Sequence, residues 1–252
     1  LLIFSLGPVQ GFLAEARRAQ DLWAGSRLLS DLARAAIKAC KQQGAEVIYP
    51  ANPDQESLPN KFVARLAESV DPGQVAREAQ RAAQGELQRR GEIAKRFLGS
   101  ICPADDLWEK IWQRQLEHHL EFFWGAAYLE KGHQEAYRKA NQAFEASKRT
   151  RCFPQVHEEG FKDSLSGRRS ALRTANLDAR DYWQAIAGSG KVTAAQLKPD
   201  GRERLDALGA IKRFGFIEQA ESFPSTSTIA TAEFLERVRG SCALAAYRQA
   251  LS

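Results

Sequence analysis

The chain has 252 residues, with 36 Lys and Arg against 31 Asp and Glu for a formal charge of +5, and 44% of its residues are hydrophobic. A charged fraction of 27% excludes a membrane-embedded chain and a disordered polyelectrolyte, and the length suits one large domain or two small ones. No apolar run approaches the roughly 18 residues of a spanning helix, and Leu1–Leu6 is too short for a signal-peptide core. The charge permits an RNA partner without arguing for one. Cys40, Cys102, Cys152 and Cys242 are scattered, with no C-x-x-C pair, and read as core thiols of a cytoplasmic protein. The sequence begins at Leu1 and contains no Met, so both ends are read as cut, or methionine positions as missing and some spacings as short.

In chain order, Leu1–Leu6 is a nearly continuous apolar run closed by Gly7-Pro8, the pattern of a strand buried on both faces. Pro8 suits the first turn of a helix carrying Val9, Phe12, Leu13 and Ala16 on one face. Gly25 and Ser26 interrupt, and a second helix runs through Leu28, Leu32, Ala36 and Ile37 to about Gly44. Glu46–Tyr49 is a second strand. Strand, helices and strand predict a βαβ unit with parallel strands and a right-handed crossover. Pro50–Pro59 is a loop, and Lys61–Leu66 fits a third strand or a helix start. Helices follow over Val75–Leu98, Leu107–Tyr128, with Trp108, Trp112, Phe123 and Trp124 on a buried face, and Glu135–Arg149. Arg151–Phe216 is polar, basic and glycine-bearing, a small irregular insertion. Ser222–Thr228 is a turn, and Ser227 or Thr231 caps a last helix through Phe234, Leu235 and Val238.

Conventional catalytic patterns are absent: no HExxH, GxSxG or Walker loop occurs. His118 and His119 are adjacent on a predicted helix, where side chains diverge by about 100°, so they and the unpatterned His133 and His157 suit solvated or capping roles. Lys212–Ile217 has the alternating aromatics of an RNA-stacking strand but lacks its partner motif, and reads instead as a core strand with a basic flank. The Gly7-Pro8 turn is a ready anion site if free N–H groups of a helix N-terminus point outward there, and Arg17, Arg18, Asp21, Trp23 and Ser26 follow close behind. Ordinary packing of a strand–helix turn accounts for the same residues.

Phe4-Ser-Leu-Gly-Pro-Val-Gln-Gly-Phe-Leu13, Ala16-Arg-Arg18 and Asp21-Leu-Trp-Ala-Gly-Ser-Arg-Leu-Leu-Ser30 carry a specific resemblance. Together they resemble the opening of the large subunit of type III-B CRISPR effector complexes, the polymerase-like palm subunit of the Cmr complex. Looser matches follow in order: Ile48–Pro50, Leu58–Ala64, the Trp-rich stretch, Glu203–Leu205 with Lys212-Arg213, and Phe223–Ser227 with Ile229-Ala230. The resemblance implies an α+β fold, a ferredoxin-like palm with helical additions and a zinc-bearing insertion. It also implies a second palm holding divalent metal on a GGDD motif, ATP bound between the palms, and conversion to cyclic oligoadenylate when target RNA binds; some members add an HD nuclease domain. This sequence contains no GGDD and no HD dipeptide. Its zinc insertion is degenerate: Cys152-Phe-Pro-Gln155 stands for the first C-x-x-C, and Asp206 and Gly209 occupy the second. One thiol cannot close a four-coordinate zinc site, so no zinc is expected.

The expected organisation is a palm βαβ core over 1–70, a helical region over 71–150, the degenerate insertion over 151–222, and a returning turn and helix over 223–252. The resemblance implies nucleotide contacts from Ser5, Gly7, Pro8 and Gln10, with Arg17, Asp21 and Ser26 as further contacts to triphosphate, base or structure. ATP with a divalent metal is the implied cofactor of the complete subunit, and other Cmr-type subunits, crRNA and target RNA its partners. The rival reading is a non-catalytic module that binds RNA or protein through the Arg and Lys of 77–96 and 168–212.

Overall fold

The computed structural model describes residues 1–130, 132–150, 158–194, 196–219 and 236–237. Residues Leu1–Glu218 form one compact unit and Gln219–Ser252 a second, of which almost nothing is described. The expected turn at Phe223–Ser227, its cap and most of its helix lie outside the described residues, as do Cys152, His157 and Cys242.

Four strands form one sheet: β1 (Leu2–Gly7), β2 (Glu46–Tyr49), β3 (Lys61–Arg65) and β4 (Glu121–Ala126), in the order β2-β3-β1-β4 with every neighbour antiparallel. Between them run α1 (Gln10–Ala14), α2 (Ala19–Gln42), α3 (Pro72–Gly99) and α4 (Asp106–Glu117); after β4 come α5 (His133–Arg149), α6 (Ala179–Gly188) and α7 (Ala207–Phe214). The fold is therefore mixed α/β. Strands β1 and β2 do run in the same direction, as the βαβ pattern predicts, but they are not neighbours: β3 lies between them and pairs antiparallel with both.

Alternation along β1 explains its apolar run. Leu2, Phe4 and Leu6 face α2 and α3, where Phe4 packs on Phe62 of β3 with ring centroids 5.1 Å apart. Leu1, Ile3 and Val63 of β3 face the other way, onto Ala136, Ala140 and Phe144 of α5. With both faces covered, every residue of β1 is buried and the strand needs no polar alternation.

Three expectations are corrected. Helix α2 runs unbroken through Gly25 and Ser26, and the chain breaks earlier, at Glu15–Arg18. Gly25 is a close-packing position, since a Cβ there would lie 3.3 Å from Leu13 Cδ2 and 3.5 Å from Lys212 Cε. The helix predicted over Leu107–Tyr128 stops at Glu117, with His118 at its C-cap, and Glu121–Ala126 is instead strand β4. Its aromatic run pairs with β1, and Gly125 admits the α5 backbone so closely that a Cβ would stand 2.3 Å from Phe144 N. Lys212–Phe214 closes helix α7 rather than forming a strand, and neither Lys212 nor Arg213 is a basic flank, for both are buried. Leu208, Ile211 and Phe214, spaced three apart, are the buried apolar face of that helix.

Aspartates cap the starts of α3, α4 and α6. Asp71 accepts from Gly73 N and Gln74 N, Asp105 from Trp108 N, and Asp178 from Arg180 N and Asp181 N. No helix among the described residues is long and apolar enough to cross a membrane.

Candidate functional site

The candidate site is the C-terminal end of β1 with the turn after it. Leu6 N donates to Asn60 O at 3.0 Å and Asn60 Nδ2 to Leu6 O at 3.0 Å, so the Leu58–Lys61 segment closes the strand end. The chain then passes through Pro8 into α1, which has only five residues. That is too short to supply a helix-terminal anion site, and Val9 at its N-cap has no side chain to accept a hydrogen bond. Among the described residues a Cβ on Gly7 or Gly11 would meet nothing within 4 Å; Gln10 and Gly11 are exposed, and Gly7 is buried.

The sequence-derived residues divide into two sets. Gln10, Arg17 and Ser26 are exposed and Pro8 half-buried. Ser5, Gly7 and Asp21 are buried. Asp21 accepts from Arg213 Nε at 2.6 Å and Arg213 Nη2 at 2.7 Å, a bidentate pair in which both side chains are 0% exposed.

That pair belongs to an ionic cluster that holds the segment between α1 and α2. Arg213 also donates to Glu203 Oε1 at 3.0 Å, and Arg18 Nη2 donates to Glu203 Oε2 at 2.6 Å. Lys212 Nζ donates to the carbonyls of Phe12 and Glu15, the latter at 2.9 Å, and stands 3.8 Å above the Phe12 ring. Arg169 bridges Glu15 and Asp206. The His119 ring packs 5.0 Å from that of Phe12. Residues 169–213 thus reach back over more than 150 residues to clamp Phe12–Asp21. Sequence reasoning missed the clamp, although Glu203 and Lys212-Arg213 stood out as motif positions; two consecutive cations inside an otherwise apolar helix were its signal.

Burial and charge pull against each other in this cluster. Burial alone would raise the Glu203 carboxyl, but Arg213 and Arg18 outweigh it and hold the group below its ordinary value. Burial lowers Arg213, yet Asp21 and Glu203 carry it above its ordinary value. For Lys212 burial wins over Glu15, Asp206 and Asp21, and its ammonium falls to about 8. Burial, helped by the charges of Arg169 and Lys212, lowers His119 to about 3.

At the positions where the resemblance places a second zinc-binding pair, Asp206 Oδ1 accepts from Gly209 N at 2.6 Å and caps α7. These two residues serve as a helix start. Among the described residues no cluster of three or more His, Cys, Asp or Glu is placed to hold a metal. Cys40 is buried and its thiol pushed up to about 12 by burial, which suits a core residue. A cleft of about 480 Å³ lies between α3 and α4, lined by Gln84, Gln88, Glu92, Trp112, Gln113 and Glu117 among others.

Residues 1–94 match the family model for CRISPR-associated protein Cmr2, N-terminal. No curated protein matches the chain. Among solved structures, a chain of the cryo-EM structure of type III-B Cmr-beta in the apo state matches with a TM-score of 0.61 and 12% identity, over 94% of this chain and 36% of its own length. A chain of type III-B Cmr-beta bound to cognate target RNA matches with a TM-score of 0.53 and 14% identity, over the same shares of 94% and 36%. The chain therefore spans little more than a third of the length of the solved chains it matches, and at these identities the likeness is one of fold. The family model over the first 94 residues and a Cmr-type fold over nearly all of the length together support the chain as the N-terminal portion of a Cmr2 large subunit.

Proposed function

We propose that the chain serves a type III-B CRISPR effector as the N-terminal part of its large subunit, where the Gly7–Gln10 turn forms one wall of an ATP pocket used in cyclic oligoadenylate synthesis. The observation that carries this reading is the partly exposed turn at the end of a fully buried central strand. Gly11 is exposed and leaves room for a ligand to approach the backbone, Gln10 offers an exposed polar side chain beside it, and Gly7 is buried behind them with space for a Cβ among the described residues. The β-α-β-β-α-β connectivity supports a ferredoxin-like palm around it. In this reading Asp21 acts from below, fixing the segment through Arg213 rather than touching nucleotide. ATP with a divalent metal is the cofactor set, the metal being held outside the residues described. Other Cmr-type subunits and RNA are the partners, as the Cmr complexes with and without target RNA suggest.

A scaffold with no working nucleotide site is the second reading, favoured by the burial of Ser5 and Asp21. Its RNA-binding form gains little from α3, where Arg77, Arg81 and Arg89 already pair with Asp71, Glu78 and Glu86. Calorimetric ATP titration of the complete large subunit separates the readings. Gly7→Ala adds a methyl that meets nothing within 4 Å among the described residues, and Gln10→Ala removes an exposed side chain, so both should leave folding intact and weaken ATP binding. Unchanged affinity in both variants would favour the scaffold.

A further inference from the structure

Helix α1 follows directly on the Gly7–Gln10 turn, and its five residues fall far short of the roughly 12 that hold a helix in water. Two main-chain bonds tie it to the turn, from Leu13 N to Val9 O at 2.9 Å and from Glu15 N to Gly11 O at 3.3 Å. The carbonyls at its C-terminal end find no partner within the helix and need one from elsewhere. Lys212, in the last turn of α7, supplies it from 197 residues away. Its Nζ donates to Phe12 O and, at 2.9 Å, to Glu15 O, and stands 3.8 Å from the Phe12 ring centroid. Lys212 is 1% exposed, so water does not compete for these bonds.

Gly25 makes room for this contact. A Cβ there, on α2, would stand 3.3 Å from Leu13 Cδ2, 3.5 Å from Lys212 Cε and 3.6 Å from Phe12 Cε1. Glycine inside a helix is unfavourable relative to alanine, and the missing Cβ lets side chains of α1 and α7 meet on α2. The carboxylates whose charge acts on Lys212 are those of Glu15, Asp206 and Asp21, but other cations hold them: Arg169 bridges the first two and Arg213 binds the third. The Lys212 ammonium is committed to main-chain carbonyls instead. Burial works against that ammonium, so an apolar side chain would suit the site better if packing were its whole task.

We propose that Lys212 is a positioning residue for the nucleotide wall: admitted past Gly25, it fixes the end of α1 and, through α1, the Gly7–Gln10 turn. This role rests on the turn holding ATP, whereas the hold on α1 does not.

Hydrogen exchange read by mass spectrometry and calorimetric ATP titration test it on the complete large subunit, with circular dichroism confirming that each variant folds. Lys212→Met keeps an unbranched stem and removes the ammonium. Peptides spanning Val9–Glu15 should then exchange faster while those of β3 and β4 exchange as in the parent, and ATP should bind about tenfold more weakly. Gly25→Ala crowds the same contact from α2 while favouring that helix, so it should move the same peptides and the affinity in the same direction by less. Arg81→Ala, on the exposed surface of α3, should change neither. Unchanged exchange over Val9–Glu15 in Lys212→Met overturns the hold; were that variant not to fold, unchanged exchange in Gly25→Ala would do so. Faster exchange with unchanged ATP affinity, where Gly7→Ala or Gln10→Ala does weaken ATP, leaves Lys212 a packing residue and overturns the positioning role. Parent-like ATP affinity in Gly7→Ala and Gln10→Ala as well is the separate failure of the ATP reading, and the positioning role falls with it.

Discussion

The arginines of α3 and the arginine of α7 are one side chain in two settings. Arg77, Arg81 and Arg89 stand in solvent, each beside an acidic neighbour in sequence; Arg81 is 68% exposed and lies 2.5 Å from Glu78. Arg213 is 0% exposed and joins Asp21, 192 residues away, to Glu203. An exposed pair contributes about 0–1 kcal/mol, because water screens it and two long side chains lose freedom. A buried pair adds little net stability over an apolar replacement, yet removing one partner costs about 3–5 kcal/mol, since the other charge is left without water or counter-ion. Charge on this chain therefore falls into two populations. The exposed one keeps α3 solvated, and the buried one decides where the segment after β1 sits.

The largest effect should come from the buried population. Arg213→Ala leaves Asp21 buried without its bidentate donor, while Glu203 keeps Arg18. Urea unfolding should show a loss of about 3–5 kcal/mol. Replacing Asp21 by Asn in the same variant should recover part of it, because a neutral amide is cheaper to bury. A loss below about 1 kcal/mol would erase the distinction between the two populations.

A second effect follows from His119, packed against the same clamp. Its folded-state value of about 3 lies below the ordinary 6.5, so the unfolded chain binds the extra proton and stability falls as pH drops from 6.5 toward 3. Glu203, held below its ordinary 4.5, adds to the acid loss only under that value, while Asp206, raised by burial, works in the opposite sense above its ordinary 3.8, so the part that belongs to His119 is the difference between the parent and His119→Gln. The urea midpoint should decline between pH 6.5 and 4.5 in the parent chain and stay flatter in His119→Gln. Lys212 works in the same sense at the other end: with a folded value near 8 against 10.5, it makes stability rise with pH between those two. A His119→Gln profile that still declines like the parent's would mean that the imidazole takes up its proton as readily in the folded chain as in the unfolded one.

Much of the fold was legible where one local signal dominated. The all-apolar Leu1–Leu6 run, ended by Gly7-Pro8, marks a doubly covered strand, and the long Ala, Gln and Arg pattern after Pro72 marks α3. Strand β4 was not legible, because Trp108, Ile111, Trp112 and Leu116 keep a helical spacing that runs on into Phe123 and Trp124; only pairing with β1 breaks it. The insertion of β3 between β1 and β2 was hidden for the same reason, since strand order is a long-range property. At the candidate site, the turn could be read from Gly7, Pro8 and Gln10. The clamp beneath it could not, because Asp21 and Arg213 meet only after the whole sheet and helical layer are built.

The smallest predicted effect gives the sharpest contrast. Arg81→Ala removes the ion pair with Glu78, a link between residues three apart on one helix, and puts in the residue with the best helix propensity. The pair's worth, about 0.3–0.5 kcal/mol, is nearly offset by that propensity, so urea unfolding should change by less than about 0.5 kcal/mol. Added salt should shrink even that, because exposed charges are screened. Arg213→Ala should keep its full cost in the same salt, since ions cannot reach a pair with 0% exposure on both sides. If high salt instead reduced the Arg213→Ala penalty to the level of Arg81→Ala, water would reach the clamp, and Asp21 would return to the set of residues free to meet a ligand.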